Sequence, residues 1–249
     1  MNAIFVWALA DRVVLRIEDH DRQRSRAPFE TAILEDLEWL EFTWDGPITR
    51  QSARGDAYEA ALDRLGSQGL LYRCACPRGH PYPGTCRDLG IADRPGVGVR
   101  VRLDPSVERF VDLRHGPQAQ RPFEQCGDLL VRDREGNWTY QFAAVVDDFE
   151  QGITHVIRGD DLLESTGRQI LLARLLGRNE PPVFLHHPLV MKSPTQKLSK
   201  SDRDTGVRAL RAQGWSAARV IGHAAFLAGL TSATGDVRAD DVSSIITRC

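Results

Sequence analysis

The stretch GITHVIRGDDLLEST, residues 152–166, decides the fold class of this chain. Its first half is a short β-branched apolar run, which predicts a strand. Ser165 or Thr166 then begins a helix predicted over about 167–176, which Gly177 ends. A strand followed directly by a capped helix is the repeating unit of an α/β fold, in which ligands bind beyond the carboxyl ends of the strands.

The same pattern continues outward from this stretch. VVLRI at 13–17 predicts a buried strand, and Glu18, Asp19 and Asp21 follow at its carboxyl end. Apolar spacing predicts further helices at residues 2–10, 28–41, 54–66, 205–213, 216–229 and 239–247. The segment 71–135 differs, because a Cys/Pro/Gly-rich loop precedes short alternating runs, and it is predicted to be an inserted β-rich subdomain.

The lysines of this chain are confined to one place. The sequence has 29 arginines and three lysines, Lys192, Lys197 and Lys200, all within nine residues. Lysine carries a compact, mobile ammonium, whereas the arginine guanidinium is a rigid planar fork. The segment KLSKS at 197–201 is therefore predicted to bring ammonium groups onto phosphate oxygens.

Three of the five cysteines crowd into thirteen residues. Cys74, Cys76 and Cys86 would supply three thiolates, and a structural zinc ion needs four ligands. From ligand chemistry alone His80 would be the fourth, because imidazole is a far commoner zinc ligand than phenol. The crowding therefore predicts a metal site and not a disulfide framework.

Composition excludes some classes of function. The chain of 249 residues is 42% hydrophobic and 27% charged, as in ordinary globular proteins, and its formal charge is −2. The chain has no global basic field, so any contact with RNA would have to come from a local patch. No apolar run reaches the ~18 residues of a membrane span. The first residues lack the features of a signal peptide, so we expect a cytoplasmic protein.

Five motifs together resemble one family over most of the chain. They are LRIEDHD at 15–21, YRCACPRGHPYPGTCRD at 72–88, YQFAAVVDD at 140–148, GITHVIRGDDLLEST at 152–166 and KLSKS at 197–201. In this order they resemble the catalytic domain of glutamyl-tRNA synthetases, and the cysteine loop and chain length resemble the free-standing glutamyl-Q tRNA(Asp) synthetases among them.

The resemblance implies a domain organisation. Residues 1–70 and 136–200 would form a Rossmann-like class I synthetase catalytic domain of the α/β class. Residues 71–135 would be a zinc-containing insert, and residues 201–249 a helical C-terminal segment.

The resemblance also assigns residues. Lys200 would bind ATP, and Lys197 and Lys200 would act in catalysis by stabilising the charge that builds on the ATP phosphates. Glu18, Tyr140 and Arg158 would bind L-glutamate, with the carboxylate of Glu18 facing the ammonium and the guanidinium facing a carboxylate. The family pattern has a tyrosine four residues before the last cysteine, which implies Tyr82 and not His80 as the fourth zinc ligand.

Two further groups are interpreted as non-catalytic or peripheral. The aspartates Asp147, Asp148, Asp160 and Asp161 are interpreted as loop, capping and ribose-contacting groups, not as a two-metal site. The pair at 186–187, His-His, is interpreted as structural.

The function implied by the resemblance is the activation of L-glutamate by ATP, with Mg²⁺, to glutamyl-adenylate. The glutamate would pass to the queuosine base of tRNA(Asp), and the protein would act as a monomer. One alternative is a truncated glutamyl- or glutaminyl-tRNA synthetase that charges a tRNA 3′ end. Another is an inactive pseudo-synthetase that binds RNA or a protein partner.

The start of the sequence departs from the family pattern. The family begins with a strand, a glycine-containing turn and a His-x-Gly-His-like signature, whereas this sequence opens at Met1 inside the helix that follows them. The signature grips the ATP phosphates through a helix N-terminus. We therefore expect the natural protein to start upstream, and we expect negligible glutamate activation if the chain is complete as given.

Overall fold

A computed structural model describes residues 2–20, 27–77, 79, 81–189 and 206–246, and the backbone alone of 191–193 and 196–197. The α-helices are α1 (Asn2–Leu9), α2 (Ala27–Trp39), α3 (Gly55–Ser67), α4 (Pro122–Cys126), α5 (Tyr140–Glu150), α6 (Thr166–Leu175), α7 (Val207–Ala212), α8 (Ala217–Leu227) and α9 (Val242–Ile246). The strands are β1 (Arg16–Ile17), β2 (Thr49–Arg50), β3 (Leu71–Cys74), β4 (Gly98–Val101), β5 (Glu108–Asp112), β6 (Gly116–Gln120), β7 (Leu129–Arg132), β8 (His155–Gly159), β9 (Val183–His187), β10 (Met191–Ser193) and β11 (Gln196–Lys197).

The strand and helix predicted at 153–176 are confirmed as β8 and α6, with one 3-10 segment, Asp160–Ser165, between them. Helix α6 leads back to β9, which pairs with β8 in parallel from His155↔Val183 to Gly159↔His187. A parallel pair needs such a crossover connection. This β8–α6–β9 unit confirms the predicted mixed α/β class.

The segment predicted as an insert contributes to two sheets. Strands β3, β4 and β7 form an antiparallel sheet in the order β3-β4-β7. Strands β5 and β6 instead extend the sheet of β8 and β9, in the order β6-β5-β9-β8, with Asp112 of β5 opposite Phe184 of β9. The boundary of the insert at residue 135 stays a prediction, but residues 108–120 share a sheet with β8.

Two local predictions were wrong. The buried strand expected at 13–17 is only the two residues of β1, which are half-buried and pair with the equally short β2. Asp147 and Asp148 do not lie in a loop, because 140–150 is the helix α5. The apolar run of α5 is buried from Phe142 to Val146, so its acidic end also reaches the interior.

Among the described residues, the two largest hydrophobic clusters hold most of these elements together. In the larger one, α3, α5 and α6 pack against the β3-β4-β7 sheet, with the buried side chains Tyr58, Leu65, Val101, Val131, Phe142 and Leu172. In the smaller one, α1 packs against α8 and α9 through Ile4, Val220, Ile221, Ala225 and Val242, and Phe42 from the segment after α2 joins them. Ser216 begins α8 by accepting a hydrogen bond from the Arg219 backbone at 3.1 Å.

The helix predicted over residues 2–10 is confirmed as α1, and those near 28–41 and 54–66 as α2 and α3. The helices after residue 205 are shorter than predicted. None of the helices described here has the length and apolar character that crossing a bilayer requires.

Candidate active site and metal centre

Arg158 lies near the carboxyl end of β8 and is held at three of its nitrogens. Its Nε donates to Nε2 of His186 at 2.9 Å, and one terminal nitrogen donates to Oγ1 of Thr166 at 2.9 Å. The other terminal nitrogen donates to Oε1 of Gln169. Thr166 and Gln169 come from the first turn of α6, so the crossover unit that follows β8 also fixes this side chain.

These partners of Arg158 are uncharged side chains or a neutral imidazole. Among the described residues, no carboxylate lies within ion-pair distance of Arg158, although the side chain is only 7% exposed. Burial lowers the pKa of Arg158, because a guanidinium loses hydration that its surroundings do not fully replace. A buried guanidinium fixed in this way can pair with the carboxylate of a ligand.

The structure brings the other two predicted glutamate ligands towards Arg158. The Tyr140 phenol, at the start of α5, lies within interaction range of both Arg158 and Glu18. Burial raises the pKa of Tyr140, and the charge of Glu18 raises it further. The Glu18 side chain stays 44% exposed. The Glu18 carboxylate loses hydration to the residues packed around it, which raises its pKa, whereas the positive charge of Arg16 acts to lower it.

Arg16 and Asp148 also belong to this cluster. The sequence analysis did not single out Arg16, and it interpreted Asp148 as a loop, capping or ribose-contacting group. Arg16 donates to Asp148 at 2.9 Å and lies 3.9 Å from Glu18. Burial raises the pKa of Asp148, even though the contact with Arg16 favours the ionised carboxylate. The signal was available in LRIEDHD, where Arg16 is two residues before Glu18 and so on the same face of an extended chain.

Asp147 is a structural centre next to the site. Its carboxylate is fully buried and accepts hydrogen bonds from Gln51 at 2.7 Å and from the Tyr58 hydroxyl at 3.0 Å. Arg54 pairs with its other oxygen. This carboxylate therefore ties α3 and the segment before it to α5, and its partners are about 90 residues away in the sequence.

The predicted cysteine cluster forms. The sulfurs of Cys74, Cys76 and Cys86 all lie within 4.8 Å of one another. The Tyr82 hydroxyl is 3.5 Å from the Cys74 sulfur and accepts from the Cys86 backbone at 2.8 Å. Three thiolates and a phenol so close together fit a tetrahedral zinc ion. His80, the alternative fourth ligand, lies outside the described residues.

Gly127 positions Tyr82 at the cluster. The Tyr82 backbone donates to the Cys126 carbonyl at 3.0 Å. A β-carbon at Gly127, which has a φ of 66°, would lie 2.1 Å from the Tyr82 carbonyl oxygen. Only glycine permits that approach and that backbone conformation together.

Arg100 is a partner of the cysteine cluster that sequence reasoning missed. It is 1% exposed, its Nε donates to the Cys74 sulfur at 3.2 Å, and its guanidinium lies 3.7 Å from the centre of the Tyr82 ring. A zinc ion bound by three thiolates would carry a net negative charge, which the buried cation beside the cluster would compensate.

The predicted lysine loop is described only in part. Strands β10 and β11 pair in antiparallel fashion, and Lys197 lies opposite Met191. Lys200 lies outside the described residues, as do Ser199 and Ser201.

Asp160, at the start of the 3-10 segment before α6, pairs with Arg114 at 3.1 Å and with His115 at 2.7 Å. The ribose contact considered for Asp160 and Asp161 stays a prediction.

Comparison with known proteins identifies relatives across nearly the whole chain. The family model described as tRNA synthetases class I (E and Q), catalytic domain, matches residues 2–80 and 91–235. A glutamyl-Q tRNA(Asp) synthetase of Pseudomonas fluorescens is 42% identical over 83% of this chain and 74% of its own length. The Bordetella bronchiseptica protein of the same name is 44% identical over 76% of this chain and 64% of its own length.

Solved structures show the same fold. A glutamate tRNA ligase of Elizabethkingia meningosepticum, crystallised with its amino acid, superposes with a TM-score of 0.78 at 23% identity. It covers 98% of this chain, and this chain spans 59% of its length. The resemblance inferred from the five motifs is thereby confirmed: the chain belongs to the class I tRNA synthetase family of the E and Q type, and within it to the glutamyl-Q tRNA(Asp) synthetases.

Proposed function

We propose that this protein activates L-glutamate with ATP and transfers it to tRNA(Asp), on the queuosine base. The observation that carries the proposal is Arg158, a buried guanidinium with neutral anchors and no carboxylate partner among the described residues. A bound amino acid with two carboxylates supplies the missing charge. The relatives named above support the choice of glutamate and of this tRNA.

The other residues of the cluster have complementary roles in this proposal. Glu18 faces the ammonium of glutamate, and Tyr140 donates its hydroxyl to the substrate, since burial keeps the phenol protonated. Arg16, held by Asp148, keeps Glu18 in place. The result is a site with cationic and anionic ends, which selects an amino acid over a simple dicarboxylate.

Lys197 and Lys200 bind the phosphates of ATP in this proposal. Adenylate formation displaces pyrophosphate, so negative charge increases on the phosphates as the bond breaks. Ammonium groups that contact those oxygens in the transition state lower the barrier, and Mg²⁺ would share that charge.

Zinc completes the proposal as a structural ion. Cys74, Cys76, Cys86 and Tyr82 would hold it, because they lie together and their donor types fit. When bound, the ion ties the loop at 74–86 to the end of β3 and takes no part in the reaction. The expected cytoplasmic location and monomeric state stay predictions.

Glutamate binding tests the proposal most directly. Calorimetry of the 249-residue chain is expected to show binding of L-glutamate in preference to L-glutamine, L-aspartate and glutarate. Absence of both glutamate binding and glutamate-dependent ATP–pyrophosphate exchange would refute the proposal. Transfer of labelled glutamate to tRNA(Asp) with queuosine, but not to the same tRNA without it, separates the proposal from charging of a 3′ end.

Replacing Arg158 with methionine is expected to cost about 2–5 kcal/mol of glutamate-binding free energy, a rise in Kd of roughly 30-fold or more. The substrate carboxylate would lose its charged partner in a buried place. Calorimetry measures the change, and Arg121→Met, which alters an arginine on the surface, is the matched control. An unchanged Kd in the Arg158 variant would rule out this contact.

In a protein that catalyses ATP–pyrophosphate exchange, with any upstream residues that it has, replacing Lys200 with methionine is expected to lower the exchange rate by about 10²–10³-fold, the usual effect of removing one transition-state donor. Glutamate binding should stay unchanged, because the lysine contacts only ATP. Lys192→Met provides the matched control, since it removes a lysine from the same short segment. Equal loss of rate in both variants would argue against a specific role of Lys200.

A further inference from the structure

A fully buried carboxylate–imidazole pair lies directly behind Arg158. Oδ2 of Asp112, at the end of β5, is 2.7 Å from Nδ1 of His186, in the adjacent strand β9. Both side chains are 0% exposed. Nε2 of the same imidazole is 2.9 Å from Nε of Arg158, so the three side chains form one chain of hydrogen bonds.

The protonation of His186 follows from its two neighbours. An arginine Nε can only donate, so Nε2 of His186 must accept. The ring is then neutral, and its proton lies on Nδ1, where it is donated to Asp112. Burial lowers the pKa of His186, which also favours the neutral ring. A protonated imidazole would present a second donor, and a positive charge, to the guanidinium.

Asp112 is itself fixed before it meets His186. Its Oδ1 accepts from the backbones of Arg114 at 3.0 Å and His115 at 2.9 Å, in the turn between β5 and β6. Its Oδ2 also accepts from the His186 backbone at 3.1 Å. The carboxylate therefore cannot rotate without breaking backbone hydrogen bonds.

We propose that Asp112 and His186 are positioning residues for glutamate recognition: Asp112 sets the tautomer of His186, and His186 fixes the rotation of the Arg158 guanidinium. This inference rests on the proposed function, because the oriented guanidinium meets a substrate carboxylate. The terminal nitrogens are held by Gln169 and Thr166, and His186 holds Nε, so the planar fork has one orientation. Such preorganisation lowers the cost of binding.

Three substitutions test this proposal. Asp112→Asn places an amide donor against Nδ1, which drives the proton to Nε2 and turns a donor towards Arg158. His186→Leu removes both hydrogen bonds, whereas His186→Gln keeps an acceptor near the position of Nε2. We expect the first two to raise the Kd for glutamate by about 10-fold or more, and His186→Gln to stay within about threefold of wild type.

Nitrogen-15 NMR of the imidazole gives a readout that does not depend on glutamate. In the wild-type chain the proton should reside on Nδ1 of His186, and in Asp112→Asn on Nε2. His155→Gln is the matched control, because His155 is an exposed histidine in the same strand as Arg158. It should leave both the tautomer and the Kd unchanged.

The outcomes separate this inference from the proposed function. A wild-type chain that binds no glutamate refutes the proposed function. In that case the tautomers alone test the roles of Asp112 and His186, which require the proton on Nδ1 in wild type and on Nε2 in Asp112→Asn. Wild-type glutamate binding with an Nε2-protonated ring overturns the inference. So does a folded His186→Leu or Asp112→Asn variant with the wild-type Kd. If either of those variants does not fold, the wild-type tautomer and His186→Gln still decide it.

Discussion

Replacing Asp147 with alanine is expected to lower the free energy of unfolding by about 3–5 kcal/mol, the cost of removing one partner from a buried charged network. The variant leaves the Arg54 guanidinium, the Gln51 amide and the Tyr58 hydroxyl without their shared acceptor. Gln51 and Tyr58 are almost completely buried, so water cannot take over the hydrogen bonds. Since α3 and α5 meet at this carboxylate, the loss destabilises the larger core.

Thermal and urea unfolding measure this effect. For a chain of this size each kcal/mol corresponds to about 2–4 °C in Tm. Glu150→Ala is the matched control, because Glu150 pairs with the same arginine but is 47% exposed. That variant should lose less than about 1 kcal/mol. Similar losses in the two variants would show that burial of Asp147 has no special energetic role.

Replacing Cys86 with serine is expected to abolish stoichiometric zinc binding. The purified protein should contain one zinc per chain. The variant should bind zinc more than about 100-fold more weakly, because losing a direct ligand costs more affinity than losing a residue that only hydrogen-bonds to a ligand. The reason is that a serine hydroxyl stays protonated and is a poor ligand for zinc. Metal analysis and competition with a chromophoric chelator measure the affinity, and chelation should lower the Tm of the wild-type protein but not that of Cys86→Ser.

Cys126→Ala is the matched control for the metal prediction. Cys126 is also buried, but its sulfur donates to the Pro122 carbonyl at 3.1 Å and lies outside the three-sulfur cluster. Zinc content should therefore stay at one per chain. Full zinc content in Cys86→Ser would refute the site. Comparing Tyr82→Phe with His80→Gln identifies the fourth ligand, and the larger loss of affinity is expected for Tyr82→Phe.

The sequence alone determined the features that depend on near neighbours along the chain. The strand and helix of 153–176 were predictable because a β-branched run, a helical run and a terminal glycine follow one another directly. The expected cap was wrong, because the Ser165 side chain makes no capping hydrogen bond and the Thr166 hydroxyl accepts from Arg158. The cysteine cluster was predictable because its members fall within thirteen residues. Glu18, Tyr140 and Arg158 came from motif resemblance, and the structure brings them within interaction range.

Only the tertiary structure decided which side chains support that site. Arg16 meets Asp148 across 132 residues, and Asp112 meets His186 across 74. No local pattern encodes such pairs, because they depend on which strands are adjacent in a sheet and on which helix face is buried. The interpretation of Asp147 failed for this reason: an acidic residue after an apolar run is typical of a surface loop, until the packing of α3 against α5 surrounds it with three donors.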